Sequence, residues 1–584
     1  MKNKIVYPSV FDLTKEDKNW IEDTIADLSL HEKCAQLVMP WVLGNFMSAD
    51  SAEYKRLIKL VKDLKVGGLI FFSGDILNQA MLTNKMQALA DIPLLVAADF
   101  ERGLGMRLKD GLEFPYAMAL AATGDLTLAF KLGKAIAEEA RAIGVHQNYA
   151  PVADINNHPE NPIINIRAFS EDKKIASDFC SAFIKGTTSA RVLTTAKHFP
   201  GHGNTHIDSH LAMPVINGKK KYLLENELVP FEASIKAGVH SVMVGHLGVP
   251  GLEKSSKVTA TLSKNVITNL LKKELRFDGL VVTDAMNMDS VTKNFSAAEA
   301  AVMAFKAGND LILFPPDEEI AINAIHSAVE RKEIKEVRIN ESVRKLLSAK
   351  RWLQIEENRY PILSEIPKTV GSKKHFALAK TIAEKSITMV KNENSVIPID
   401  KSKYETIFCI TITEGFGNES EELFQSLIQE KFPESMRALV HEQTNDDYYE
   451  EILQSAKKAD LIALPSFIKV KAYQGTVSLS KKHETFIHKL LNMKVPTVLI
   501  SFGNPYLLSL FPKLNAYLCA YGDTKVSQQA MIKAIVGEID IQGKLPISIP
   551  GTEFKVGHGI NQPSRFGQRF HQATSKVTKK IKAS

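Results

Sequence analysis

The chain has 584 residues, 45% of them hydrophobic, so it can bury more than one apolar core and should divide into two or three domains. Its 73 lysines and arginines against 66 acids give a formal charge of +7, but seven of the basic residues, from Lys555 to Lys582, lie in a terminal segment without one Asp or Glu. The body before that segment is formally neutral, with 66 charges of each sign, which argues against the basic face of a nucleic-acid-binding protein.

Cys34, Cys180, Cys409 and Cys519 are scattered, with neither the density of a disulfide scaffold nor the paired spacing of a zinc site, and read as buried or free thiols. The start is basic, but Pro8 and the charges at Asp12, Lys15, Glu16 and Asp17 leave no apolar core for a secretory leader. No apolar run reaches the roughly 20 residues of a membrane span. The expectation is a cytoplasmic protein with no nucleic-acid or membrane partner.

From about residue 20 to 350, amphipathic helical stretches alternate with short apolar runs at 35–42, 68–72, 94–98, 146–152, 192–196, 241–244, 280–283 and 310–314. Runs of this kind are strands buried on both faces of a parallel sheet, and eight βα repeats predict an α/β fold built on a TIM-like (β/α)8 barrel. An open Rossmann-type sheet competes, but no Gly-x-Gly-x-x-Gly opens a helix after a strand. The distribution of polar residues favours the barrel: Asp99, Lys197, His198, His246 and Asp284 lie just beyond the C-terminal ends of predicted strands, where barrel active sites gather. A charged helical stretch ending at Asn358-Arg-Tyr-Pro361 closes the first domain, 1–360. Strand candidates at 406–412, 438–441, 461–465, 496–502 and 516–520, separated by helical segments, predict a second domain, an α/β sandwich over 361–553. The basic tail, 554–584, reads as a solvated, frayed end.

The densest chemical constellation is Lys197-His-Phe-Pro-Gly-His-Gly-Asn-Thr-His-Ile-Asp-Ser-His210. Pro200, Gly201 and Gly203 break regular structure and launch a loop bearing Asp208 and His210. The i, i+2 spacing lets the carboxylate hold one ring nitrogen while the other faces a substrate, a dyad suited to general acid/base work. Ordinary polar loop residues would look much the same. A zinc site fits poorly, because the run has glycines and no partnering Cys, and a serine triad lacks its Gly-x-Ser-x-Gly elbow. Asp284, in Asp278-Gly-Leu-Val-Val-Thr-Asp-Ala-Met-Asn-Met288, fits equally well as a nucleophile at a strand end or as a helix N-cap.

The long pattern Lys197-His-Phe-Pro-Gly-His-Gly, then Asp208-Ser-His210, then Val282-Thr-Asp284-Ala-Met-Asn-Met, resembles glycoside hydrolase family 3 in its β-N-acetylglucosaminidase branch. Residues 383–392, 501–505 and 543–550 resemble recurring segments of that family's second domain; the basic tail is not covered. The resemblance implies a retaining, exo-acting β-N-acetylglucosaminidase without metal or cofactor, with a role in recycling peptidoglycan fragments. It makes Asp284 the nucleophile, His210 the acid/base and Asp208 its orienting partner. The substrate-binding matches are Asp99, Arg107, Arg167, Lys197 and His198, and His246 is left a wall or hydrogen-bonding role. Asp99-Phe-Glu-Arg-Gly-Leu-Gly-Met-Arg107 departs in its middle from the family's Asp-Gln-Glu-Gly-Gly-Arg, so the local loop differs. A β-glucosidase, a β-glycoside phosphorylase and a catalytically silent carbohydrate-binding protein are the competing readings.

Overall fold

The computed structural model describes residues 5–205, 213–415, 419–469 and 479–565. Asp208 and His210 lie outside the described residues. The chain forms two compact units: Met1–Glu113, Leu126–Ile155 and Ala176–Phe376 make the first, and Phe114–Asp125, Asn156–Ile175 and Ala377–Ser584 the second.

The first unit contains β1 (Val38–Met39), β2 (Trp41–Gly44), β3 (Gly68–Asp75), β4 (Leu95–Ala98), β5 (Leu108–Lys109), β6 (Gln147–Asn148), β7 (Leu193–Phe199), β8 (Ser241–Val244), β9 (Leu280–Thr283) and β10 (Ile312–Leu313). All pair in parallel, in the order β2-β3-β4-β6-β7-β8-β9, with β5 added to the end of β3. Pro40 interrupts what is otherwise one strand, β1 and β2. β10 pairs with β1, and a parallel bridge from Val282 to Leu311 ties it to β9, so the ring closes. Each of the eight apolar runs read from the sequence supplies one staff of this barrel. Most of their residues are buried on both faces, as β4, β8 and β9 are throughout, because helices cover the outside.

The helices start where the sequence caps them. Thr14 with Asp17, Ser29 with Glu32, and Ser296 with Glu299 form reciprocal capping boxes for Lys15–Asp27, Leu30–Gln36 and Ala297–Ala307. Closure of the ring is fixed electrostatically at its N-terminal end by Asp310, whose side chain is fully buried. It accepts from Val281 N at 3.0 Å and Ser342 Oγ at 2.8 Å, and pairs with Lys272 (3.2 Å), Arg338 (3.0 Å) and Lys345 (3.1 Å). Burial alone would raise its pKa; Lys272, Lys345 and Arg338 outweigh it and hold the carboxyl far below the usual range.

The second unit is a six-stranded sheet of β11 (Thr388–Asn392), β12 (Ile407–Ile412), β13 (Met436–Val440), β14 (Leu461–Ser466), β15 (Thr497–Ser501) and β16 (Ala516–Cys519), in the order β11-β16-β15-β14-β12-β13. All pairs are parallel except β11 on β16, at one edge. The structure departs here from a single boundary near 360. Tyr116, Met118, Ala119, Ala122 and Ile166 bury in the same apolar core as Ile410, Leu464 and Leu499, so two segments from within 1–360 fold with the second unit. The chain also stays packed beyond 553. Gly557 N donates to Leu545 O, Ile560 N to Met389 O, and Gln562 bridges Ile541, so the unit's backbone pairing runs to Arg565.

Candidate active site

The C-terminal rim of the barrel collects the polar residues in turn. Asp99 follows β4 directly, and the loop after it is clamped by Asn148, which accepts from Phe100 N at 2.9 Å and donates to Phe100 O at 3.1 Å. β7 runs three residues further than its apolar pattern, so Lys197 and His198 stand within it rather than after it. Lys197 Nζ, with a side chain only 3% exposed, lies 2.7 Å from Asp99 Oδ1 and 2.9 Å from Glu101 Oε1. Arg107 Nη2 reaches Asp99 Oδ2 at 3.2 Å. It is delivered there because β5 pairs with the end of β3, Gly74 N donating to Arg107 O, and its guanidinium lies 4.4 Å over the half-exposed ring of Phe72. Burial would raise the Asp99 pKa, but Lys197 and Arg107 together hold it below the usual carboxylate value. The result is a neutral cluster of two carboxylates and two cations, rich in the donors and acceptors that sugar hydroxyls need.

Asp154 follows β6 and is fully buried. It accepts from the backbone N of His202 at 2.7 Å and of His198 at 3.1 Å, and from His198 Nδ1 at 2.8 Å. Those bonds overcome the burial that would raise it, leaving its carboxyl below the ordinary value. The turn between the two histidines presses onto the barrel: a Cβ on Gly203 would sit 1.6 Å from Ile155 O, so only glycine fits. His202 Nδ1 meets Thr205 Oγ1 at 2.9 Å, and burial above all pushes its pKa down to about 4.

Asp284 leaves β9 with its N–H bonded to Val244 O, and its Oδ1 accepts from Ala285 N at 2.8 Å. It does not cap a helix: the next one, Asp289–Thr292, starts from Met288. Its charge is felt at His202. Beside it the buried His246 lies 2.9 Å from Ala285 O through Nε2 and 2.8 Å from Thr261 Oγ1 through Nδ1. A carbonyl only accepts, so Nε2 carries the proton, while Thr261 Oγ1, at Nδ1, also lies 2.9 Å from Gly245 O and 3.0 Å from Val244 O. His246 therefore holds the backbone next to Asp284.

Asp99, Arg107, Lys197, His198 and Asp284 thus share one rim of one barrel. Arg167 belongs to the second unit, where its Nη1 donates to Ile163 O at 2.9 Å. Glu101 and Asp154 were not anticipated. The signal for Asp154 was present, a carboxylate two residues past the apolar run 146–152. Among the described residues no three His, Cys, Asp or Glu side chains converge as metal ligands, and no helix is long and apolar enough to cross a membrane.

The glycosyl hydrolase family 3 N-terminal domain profile matches residues 29–349, and the family's C-terminal domain profile matches 387–578. A β-N-acetylglucosaminidase/β-glucosidase from Cellulomonas fimi is 25% identical over 92% of this chain and 97% of its own. The solved structure of a family 3 β-N-acetylglucosaminidase from Paenibacillus sp. str. FPU-7 is 31% identical, with a TM-score of 0.79 over 90% of this chain and 100% of its own. The β-glucoside phosphorylase BglX, bound to 2FGlc, is 27% identical, with a TM-score of 0.83 over 92% of this chain and 97% of its own.

Proposed function

The chain belongs to glycoside hydrolase family 3, and from that premise we propose that it removes terminal β-linked N-acetylglucosamine with retention of configuration. The observation that carries the reading is Asp284: a carboxylate at the end of β9, not used as a helix cap, on the same rim as the Asp99–Lys197–Arg107 cluster and His198. In this reading Asp284 attacks the anomeric carbon while protonated His210, oriented by Asp208, gives its proton to the departing oxygen. The glycosidic C–O bond breaks, and a covalent glycosyl-enzyme forms. Neutral His210 then takes a proton from water, whose oxygen displaces Asp284 and restores both groups. The cluster around Lys197 receives the sugar hydroxyls, Asp99 and Glu101 accepting and Lys197 and Arg107 donating. Relatives named as β-N-acetylglucosaminidases on both the sequence and the structural side support the choice of sugar. Fragments of peptidoglycan are the proposed natural substrates.

Phosphorolysis is the second reading, favoured by the likeness to BglX. Against it, the two cations of the described rim are each held by carboxylates, so this part of the site offers no excess positive charge to a phosphate. One assay separates the readings: product analysis on aryl β-N-acetylglucosaminides, β-glucosides and cell-wall fragments, with and without inorganic phosphate. Release of free N-acetylglucosamine independent of phosphate is expected; a sugar 1-phosphate, or turnover of glucosides alone, would overturn it.

A further inference from the structure

We propose that Asp154 is a positioning residue that fixes the tautomer of His198, so that the imidazole meets a sugar hydroxyl through Nε2. This rests on reading the barrel rim as a glycoside site. The two oxygens of Asp154 divide the work unevenly, with the His198 backbone N–H shared between them, 3.1 Å from Oδ1 and 3.2 Å from Oδ2. Oδ1 takes the backbone N–H of His202 at 2.7 Å and of His198 at 3.1 Å, and so ties the two ends of the Phe199–Gly201 turn. Oδ2 takes His198 Nδ1 at 2.8 Å. A carboxylate in this setting only accepts, and its ionised form is the one the surrounding donors favour, so Nδ1 carries the proton. Nε2 takes no partner among the described residues, and the side chain keeps 8% of its surface exposed on the rim that carries Lys197. In the neutral ring Nε2 is an acceptor for a hydroxyl proton. The opposite tautomer would face the same hydroxyl with an N–H.

The geometry supplies its own probe. In Asp154→Asn the amide oxygen settles at the Oδ1 position, because there it keeps both backbone donors, while the opposite orientation would set an amide N–H against the His202 N–H at the shortest of these contacts and keep only that of His198. The amide nitrogen then occupies the Oδ2 position and donates to Nδ1, which moves the ring proton to Nε2. The turn stays anchored and the tautomer inverts. His198 acts on the substrate, and Asp154 acts through His198.

The experiment combines two measurements on the full chain. Selective ¹⁵N-histidine labelling, with His198 assigned through His198→Gln, should show Nδ1 protonated in the wild-type protein and Nε2 protonated in Asp154→Asn. Kinetics on an aryl β-N-acetylglucosaminide should show kcat/KM reduced about 10- to 100-fold by Asp154→Asn. In a His198→Gln background the same substitution should change it less than about twofold. A wild-type ring protonated at Nε2 overturns the proposal, whether or not the variant folds. So does a full loss in the His198→Gln background, which would mean that Asp154 acts on the turn alone. If the wild-type protein hydrolyses no glycoside, the functional reading fails while the ¹⁵N result still decides the tautomer.

Discussion

Replacing Lys197 by Met removes the cation that separates two partly buried carboxylates, and its cost is set by geometry. Lys197 makes charge-assisted bonds of 2.7 and 2.9 Å to Asp99 and Glu101, whose side chains are 17% and 11% exposed. Two such bonds are worth about 3–6 kcal/mol, and the access of water to both acids places the expected loss at the low end, about 3 kcal/mol. Methionine keeps the volume, so the loss is electrostatic. In the wild-type protein the Asp99 pKa is depressed; its contribution is present above the unfolded value, about 3.9, and is lost as pH falls through the lower folded value. Without Lys197, burial dominates and the remaining Arg107 offsets only part of it, so the folded pKa rises above the unfolded one. The variant then takes up a proton as pH falls, and its deficit should shrink to about half between about pH 8 and about pH 5. Urea unfolding of the two proteins at both pH values reads this directly. A barrel transition that does not move, or that moves equally at both pH values, would refute the electrostatic account of the cluster.

His375 is clamped by Glu139 at 2.8 Å and Glu138 at 3.0 Å, and these bonds raise its pKa. Its stabilisation should be complete below about pH 6.5, the unfolded value, and fade as pH rises through the folded one; urea midpoints of His375→Leu should lose that slope. Gly203→Ala forces a Cβ onto Ile155 O and lifts the turn held by Asp154, so kcat/KM should fall on the order of 10²-fold with little change in the unfolding midpoint of the second unit. His210→Ala should harm natural glycosides more than aryl glycosides with good leaving groups, which need little protonation; equal losses would remove His210 from the acid role.

The barrel was legible because its staves are short apolar runs buried on both faces, a pattern that survives in one sequence. The second sheet's parallel core was legible for the same reason, whereas β11 was not. Its Thr-Met-Val-Lys-Asn is half polar, and its antiparallel place beside β16 is decided by contacts about 130 residues away in sequence. The membership of Tyr116–Ala122 and Ile166 in the second core is likewise a tertiary fact: their apolar pattern says that they bury, not where. In the site, residues at strand ends were found by position. Glu101 and Asp154 act through partners brought in by other strands, Lys197 and His198 of β7, and no local spacing announces such pairs. Arg107 keeps its place despite the altered motif because β5 pairs with β3 and sets the loop.

In the proposed mechanism Asp284 becomes covalently glycosylated. A slow fluorinated N-acetylglucosaminide, incubated with the full chain and followed by proteolysis and mass spectrometry, tests it most directly. The adduct is expected on the peptide holding Val282-Thr-Asp284-Ala-Met, and Asp284→Ala should neither form it nor hydrolyse an aryl β-N-acetylglucosaminide while keeping the fold. An adduct on any other carboxylate, or full activity in Asp284→Ala, would remove Asp284 as the nucleophile.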